Sequence, residues 1–170
     1  MSLSEKENSG QAPKKKISLA KSQERIAAYC AYQERCIAEV RSKLEELGLN
    51  PSQIDPVLDK LTNEGFLNEE RFAEAFVKGR FTLKKWGRIR IRQELKMRDI
   101  PEDIIIKAIE QIDGEEYWAV LKYLAERKWK LTQEPNELKK KAKVQRFLVF
   151  RGFENDLIRD VIGELTKDPS

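Results

Sequence analysis

Arg88, Arg92 and Lys96 lie four residues apart, the spacing that lines side chains along one face of a helix. A guanidinium fork binds phosphate or carboxylate through two parallel hydrogen bonds, and an ammonium adds a mobile point charge. Lys84 and Lys85 precede this stripe, and Arg80 stands one turn further back. Lys139, Lys140 and Lys143, in the run Lys139-Lys140-Lys141-Ala142-Lys143, form a second basic cluster suited to phosphate attraction. Both clusters point to recognition of a polyanion. A solvated helix face and neutralisation by acidic neighbours are the plainer explanations.

Other chemistries find little material. The chain of 170 residues has no histidine, so a Ser-His-Asp triad, a Cys-His dyad and imidazole ligation are excluded. Cys30 and Cys36 are too few for a disulfide framework or a cysteine-only zinc site; six apart, they read as small apolar residues. The acids Asp99, Glu102 and Asp103, and Asp113, Glu115 and Glu116, sit where helices should start. There the helix dipole favours negative charge, so no metal and no cofactor are expected. No stretch approaches the roughly 18 apolar residues of a membrane helix, and a soluble, cytoplasmic, monomeric protein is expected. Trp86, between Lys85 and Gly87, suits either stacking on a base or burial in a core.

The net charge of +4 conceals a strong segregation. Residues 78–98 hold nine cations against Glu94 alone, and residues 122–151 hold ten cations against three acids. Acidic segments lie between and beside them. Such blocks repel themselves unless an anion meets them.

The elements that must carry these charges show up on self-comparison. Displaced by 51 positions, Leu44, Leu49, Ile54, Val57, Leu58 and Leu61 fall on Leu95, Ile100, Ile105, Ala108, Ile109 and Ile112. A further 53 brings them onto Leu148, Phe153, Ile158, Val161, Ile162 and Leu165. Val40, Ile91 and Val144 coincide upstream. The spacing i, i+3, i+4, i+7 is helical. Gly48, Asp99 and Gly152 fall at a break between two helices, where a left-handed residue is wanted. Asn50-Pro51-Ser52-Gln53 reads as a cap, a helix-starting proline and a reaching Gln; Pro101 marks another helix start, and Asn68 is a further cap. A third helix precedes each pair, with stripes at Ile26, Tyr29 and Cys30, at Phe72, Ala73, Phe76 and Val77, and at Tyr117, Val120, Leu121 and Leu124.

The expected fold is all-α: three tandem three-helix repeats in an elongated, curved array, with one compact bundle as the alternative. The divisions are 1–20 as a flexible basic tail, then repeats over 21–67, 68–113 and 114–170. Units this small need neighbours to stack on. The alternating stretch 87–95 resembles a strand taken alone, but its repeat register makes it helical.

The run Gly65-Phe66-Leu67-Asn68-Glu69-Glu70-Arg71-Phe72-Ala73, followed by Phe76-Val77, Arg80, Gly87-Arg88-Ile89 and Glu94-Leu95, resembles the central signature of RecX regulatory proteins. Arg41-Ser42-Lys43-Leu44 with Gly48, and Arg151-Gly152-Phe153, are similar to its flanking signatures. The resemblance spans about residues 22–165. It implies tandem three-helix repeats and binding to the RecA recombinase as its filament on single-stranded DNA. It also implies inhibition of ATP hydrolysis and strand exchange, hence modulation of recombination and DNA repair, with no catalysis by this chain. Arg71, Phe72, Gly87, Gly152 and Phe153, within the signatures, are expected to be structural or interfacial. Lys84, Lys85, Arg88, Arg92 and Lys96 are the leading contacts to RecA or DNA. Arg80, Lys139, Lys140 and Lys143 stand behind them, and DNA contact is expected to be weak and electrostatic. A stand-alone helical nucleic-acid-binding protein is the alternative.

Overall fold

The computed structural model describes residues 17–167. Nine helices lie in this span: α1 (Leu19–Tyr32), α2 (Ile37–Glu46), α3 (Pro51–Asn63), α4 (Glu69–Thr82), α5 (Arg88–Met97), α6 (Glu102–Glu110), α7 (Gly114–Leu131), α8 (Glu137–Arg151) and α9 (Asn155–Thr166). No strand occurs among the described residues. Residues 1–16 of the expected tail lie outside them, and α1 starts at Leu19, inside the span assigned to that tail.

The helix starts follow local chemistry. Asn50 accepts the Gln53 N–H at 3.1 Å, and its own N–H donates to Gln53 Oε1 at 3.0 Å, a reciprocal cap on α3. Asn68, Asp113 and Asn136 likewise accept from Arg71, Glu116 and Lys139. Such a cap contributes about 1 kcal/mol. The breaks also follow the register: Gly48, Asp99 and Gly152 all take positive φ, at 95°, 57° and 98°.

The repeated apolar positions form the interior. Leu44, Leu95 and Leu148, and Val40, Ile91 and Val144, are fully buried. Ile54, Ile105 and Ile158 stand equally deep. Each such side chain contributes roughly 1.5–3 kcal/mol on leaving water. Late positions drift outward in the second and third copies, where Ile109, Ile112 and Leu165 are half-buried.

The interior is divided in two. Helices α1–α3 enclose one core, from Ile26 to Leu67. Helices α4–α9 share a second and larger one, which also receives Cys36 from the first unit. The three units are therefore tandem in sequence, but the second and third are fused through a common interior.

Candidate polyanion groove

Helix α5 begins at Gly87 with no capping side chain of its own. Its free amides are satisfied instead by the third unit. Gly87 N–H donates to Arg151 O at 2.8 Å and Ile89 N–H to Gly152 O at 3.0 Å. Arg88 N–H donates to Tyr117 Oη at 3.1 Å. The first-turn amides of a helix have no partner inside it, so α5 is capped by tertiary structure. The fit depends on two glycines. A Cβ on Gly87 would fall on the carbonyl of Gly152, and one on Gly152 would fall on the Cβ and backbone nitrogen of Arg90.

A polar network closes this seam. Tyr117 O–H donates to Glu154, whose other oxygen takes Arg88 Nη1 at 2.8 Å. The Arg88 guanidinium lies 3.8 Å from the Tyr117 ring centroid. Burial, reinforced by the hydrogen bond to Glu154, raises the Tyr117 phenol above its ordinary pKa. Phe153 is buried against Tyr117, with ring centroids 5.2 Å apart.

Arg88 is thus held inside the fold by Glu154. The rest of its stripe is also paired: Arg92 and Lys96 both meet Glu102, Lys96 at 3.7 Å. In the second cluster Lys143 pairs with Glu134 at 3.0 Å, and Lys140 lies over Trp129 at 4.4 Å. The hydrogen bond from Lys143 lowers the Glu134 pKa. Lys139 is exposed. Arg80 stands between the rings of Phe76 and Trp86, at 4.5 and 5.3 Å, while Arg90 covers Trp86 at 4.0 Å. Trp86 is half-buried. Arg71 ties the first unit to the second, reaching Glu34 at 2.6 Å and Gly65 O at 2.9 Å; Phe72 is core.

Lys84 and Lys85 meet a different setting. They line a groove of about 420 Å³ with Leu83. Helix α7 supplies Tyr123, Leu124, Arg127, Lys128 and Leu131, and α8 supplies Phe147 and Arg151. Five cations therefore converge from the two basic blocks, 78–98 and 122–151, and no acid lines the groove. Among the described residues none of the five enters an ion pair. Arg151 Nη1 donates to Lys84 O at 2.6 Å and pins the loop. Lys85 occupies the left-handed position after α4, with φ 54°. Its N–H bonds Phe81 O, and the Trp86 N–H bonds Arg80 O, both at 3.1 Å, which is the helix-ending pattern that glycine normally serves.

Arg127 and Lys128 carry no local motif in the sequence, and Arg151 stands out only through the closing signature. The one signal for Arg127 and Lys128 is the charge count of 122–151, in which the run Lys139–Lys143 is the denser cluster. The two cysteines are buried, and burial pushes the Cys36 thiol up to about 11. Among the described residues no group of three Cys, Asp or Glu side chains is placed to hold a metal, and no helix is long and apolar enough to cross a membrane.

The fold defines an all-α repeat protein of three-helix units. Models of the first, second and third three-helix domains of RecX match residues 24–61, 68–109 and 115–162. The regulatory protein RecX of Leptothrix cholodnii is 33% identical over 138 residues, covering 81% of this chain and 85% of that relative. A crystal structure of regulatory protein RecX superposes with a TM-score of 0.78 at 26% identity, over 85% of this chain and 71% of that one. RecX from Lactobacillus salivarius gives 0.76 at 24% identity, over 86% and 96%, a likeness of fold. The chain belongs to the RecX family of regulatory proteins.

Proposed function

We propose that this chain binds the filament of RecA on single-stranded DNA and inhibits RecA ATP hydrolysis and strand exchange. It acts in the cytoplasm as a monomeric binding protein without catalysis of its own. Membership of the family supports a regulatory role. The observation that carries the contact is the convergence of Lys84, Lys85, Arg127, Lys128 and Arg151 on one groove without an acid to neutralise them. A filament presents DNA phosphates and protein carboxylates along its length, and several modest contacts by tandem units add through effective concentration. The test is RecA ATPase on single-stranded DNA, titrated with this protein. Inhibition at stoichiometric amounts is expected; undiminished hydrolysis would sink the proposal.

A second reading, a stand-alone nucleic-acid-binding protein, draws on one observation. Phe150 is 74% exposed, beside Arg90 at 5.1 Å, and an exposed ring near a guanidinium suits base stacking. Tight, steeply salt-dependent binding to naked DNA, independent of RecA, would favour it.

A further inference from the structure

The groove holds more than charge. Leu83 is 81% exposed and Leu131 68% exposed, and both line it, with Tyr123 about half exposed. Phosphate recognition has no use for leucine lips. Aliphatic side chains also make poor platforms for bases, which stack on flat π faces. Phe147 has cations over its ring, Lys128 at 5.0 Å and Arg151 at 5.3 Å from the centroid. The Tyr123 hydroxyl accepts from Arg127 at 3.0 Å. The Phe147 face is therefore engaged by cations and the Tyr123 hydroxyl by Arg127, while aliphatic surface stands open beside unpaired cations. Glu126 lies in the adjoining depression with Lys130, outside the groove itself.

We propose that this groove docks an acidic protein segment, inserting one apolar side chain between Leu83 and Leu131 while flanking carboxylates meet Lys84, Lys85 and Arg127. A volume of about 420 Å³ suits one or two side chains and not a whole helix. Charge complementarity selects the acids and the leucines select the anchor. The walls are set before binding: Arg151 holds Lys84 O, and the Gly87–Arg151 backbone bond fixes the loop to α8. A preformed site loses less freedom on binding. The proposal rests on the filament reading to this extent: it assigns the groove to the protein part of that partner and leaves DNA to other surfaces.

The test is an amide-shift NMR titration of the full 15N-labelled chain with the synthetic peptide Glu-Glu-Glu-Leu-Glu-Glu-Glu. The same peptide with Ser for Leu and a (dT)15 oligonucleotide are run in parallel. Shifts confined to 83–87, 123–131 and 147–151, the three walls of the groove, at least about fivefold tighter binding of the Leu peptide, and loss of that preference in Leu131→Asp are expected. Leu131 is exposed, so the fold should survive, and the unperturbed remainder of the spectrum reports that directly. Equal binding of both peptides, shifts elsewhere, no binding, or (dT)15 as the ligand that depends on Leu131 would each overturn the proposal. RecA ATPase measured on the same samples separates the two ideas. In the parent chain, no preference for the Leu peptide with intact inhibition refutes the groove alone; clear preference without inhibition refutes the filament reading alone.

Discussion

The two seams between units are built on different principles. Between the second and third units, two backbone hydrogen bonds cross, two glycines interlock, and a shared core lies beneath. Between the first and second, the polar ties run through side chains, Arg71 to Glu34 and to Gly65 O and Arg98 to Glu39, with Cys36 crossing into the larger core. Close backbone fit is unforgiving, whereas a solvent-reached ion pair such as Arg71–Glu34 is soft and worth little. The groove straddles the rigid seam: Lys84 and Lys85 come from one side, Arg127, Lys128 and Arg151 from the other. The interlock there sets the spacing of cations that no short segment of sequence brings together.

The contrast is most severely tested at Gly87. Gly87→Ala drives a methyl into the Gly152 backbone, which cannot step aside as a side chain can. A loss of about 3 kcal/mol, in the range of severe packing faults, is expected in the urea midpoint. Tyr117→Phe comes next. It removes the acceptor of the Arg88 N–H and the donor to Glu154, and about 1–2 kcal/mol should go. Lys85→Gly reverses the sign. It relieves a left-handed lysine and should stabilise by about 1 kcal/mol while removing one groove cation, so stability and binding move in opposite directions. Arg71→Ala, at the soft seam, should cost under about 1 kcal/mol. A cost equal to that of Gly87→Ala would erase the distinction between the seams.

The smallest effect concerns Glu69, which lies in the soft seam with a buried carboxylate oxygen lacking a partner. Burial, with Asp99 nearby, raises its pKa, against the Ile37 amide that lowers it. A raised carboxylate favours the protonated fold. Its contribution is present in acid and lost as pH rises through the folded value. Glu69→Gln should therefore gain stability relative to the parent between acid and neutral pH, read from urea midpoints across that range. A relative loss on raising the pH would contradict the assignment.

Much of the fold was legible because burial repeats. Leu44, Leu95 and Leu148 recur in register, and Gly48, Asp99 and Gly152 punctuate them with a backbone conformation few residues accept. The 87–95 stretch, strand-like by itself, was placed as a helix by that register alone. The partnering of charges was not legible. Arg92 lies on the stripe the spacing implies, but Glu102 reaches it from the next helix and Glu154 claims Arg88 from 66 residues away. Counting charge by segment locates cations along the chain; only packing decides which acids they meet. The tertiary cap of α5 was not legible either: Gly87 offers no side chain where Asn50 and Asn68 do, and the carbonyls that meet the Gly87 and Ile89 amides come from Arg151 and Gly152, far along the chain.

The proposed regulatory contact places the converged groove cations ahead of the α5 stripe, whose Arg92 and Lys96 already meet Glu102. RecA ATPase on single-stranded DNA, titrated with two matched double variants, tests it most directly. Lys84→Ala with Arg127→Ala should weaken inhibition by tenfold or more, about 1.4 kcal/mol. Arg92→Ala with Lys96→Ala should leave it within about twofold. The reverse order, with the stripe variant losing inhibition and the groove variant keeping it, would contradict the account.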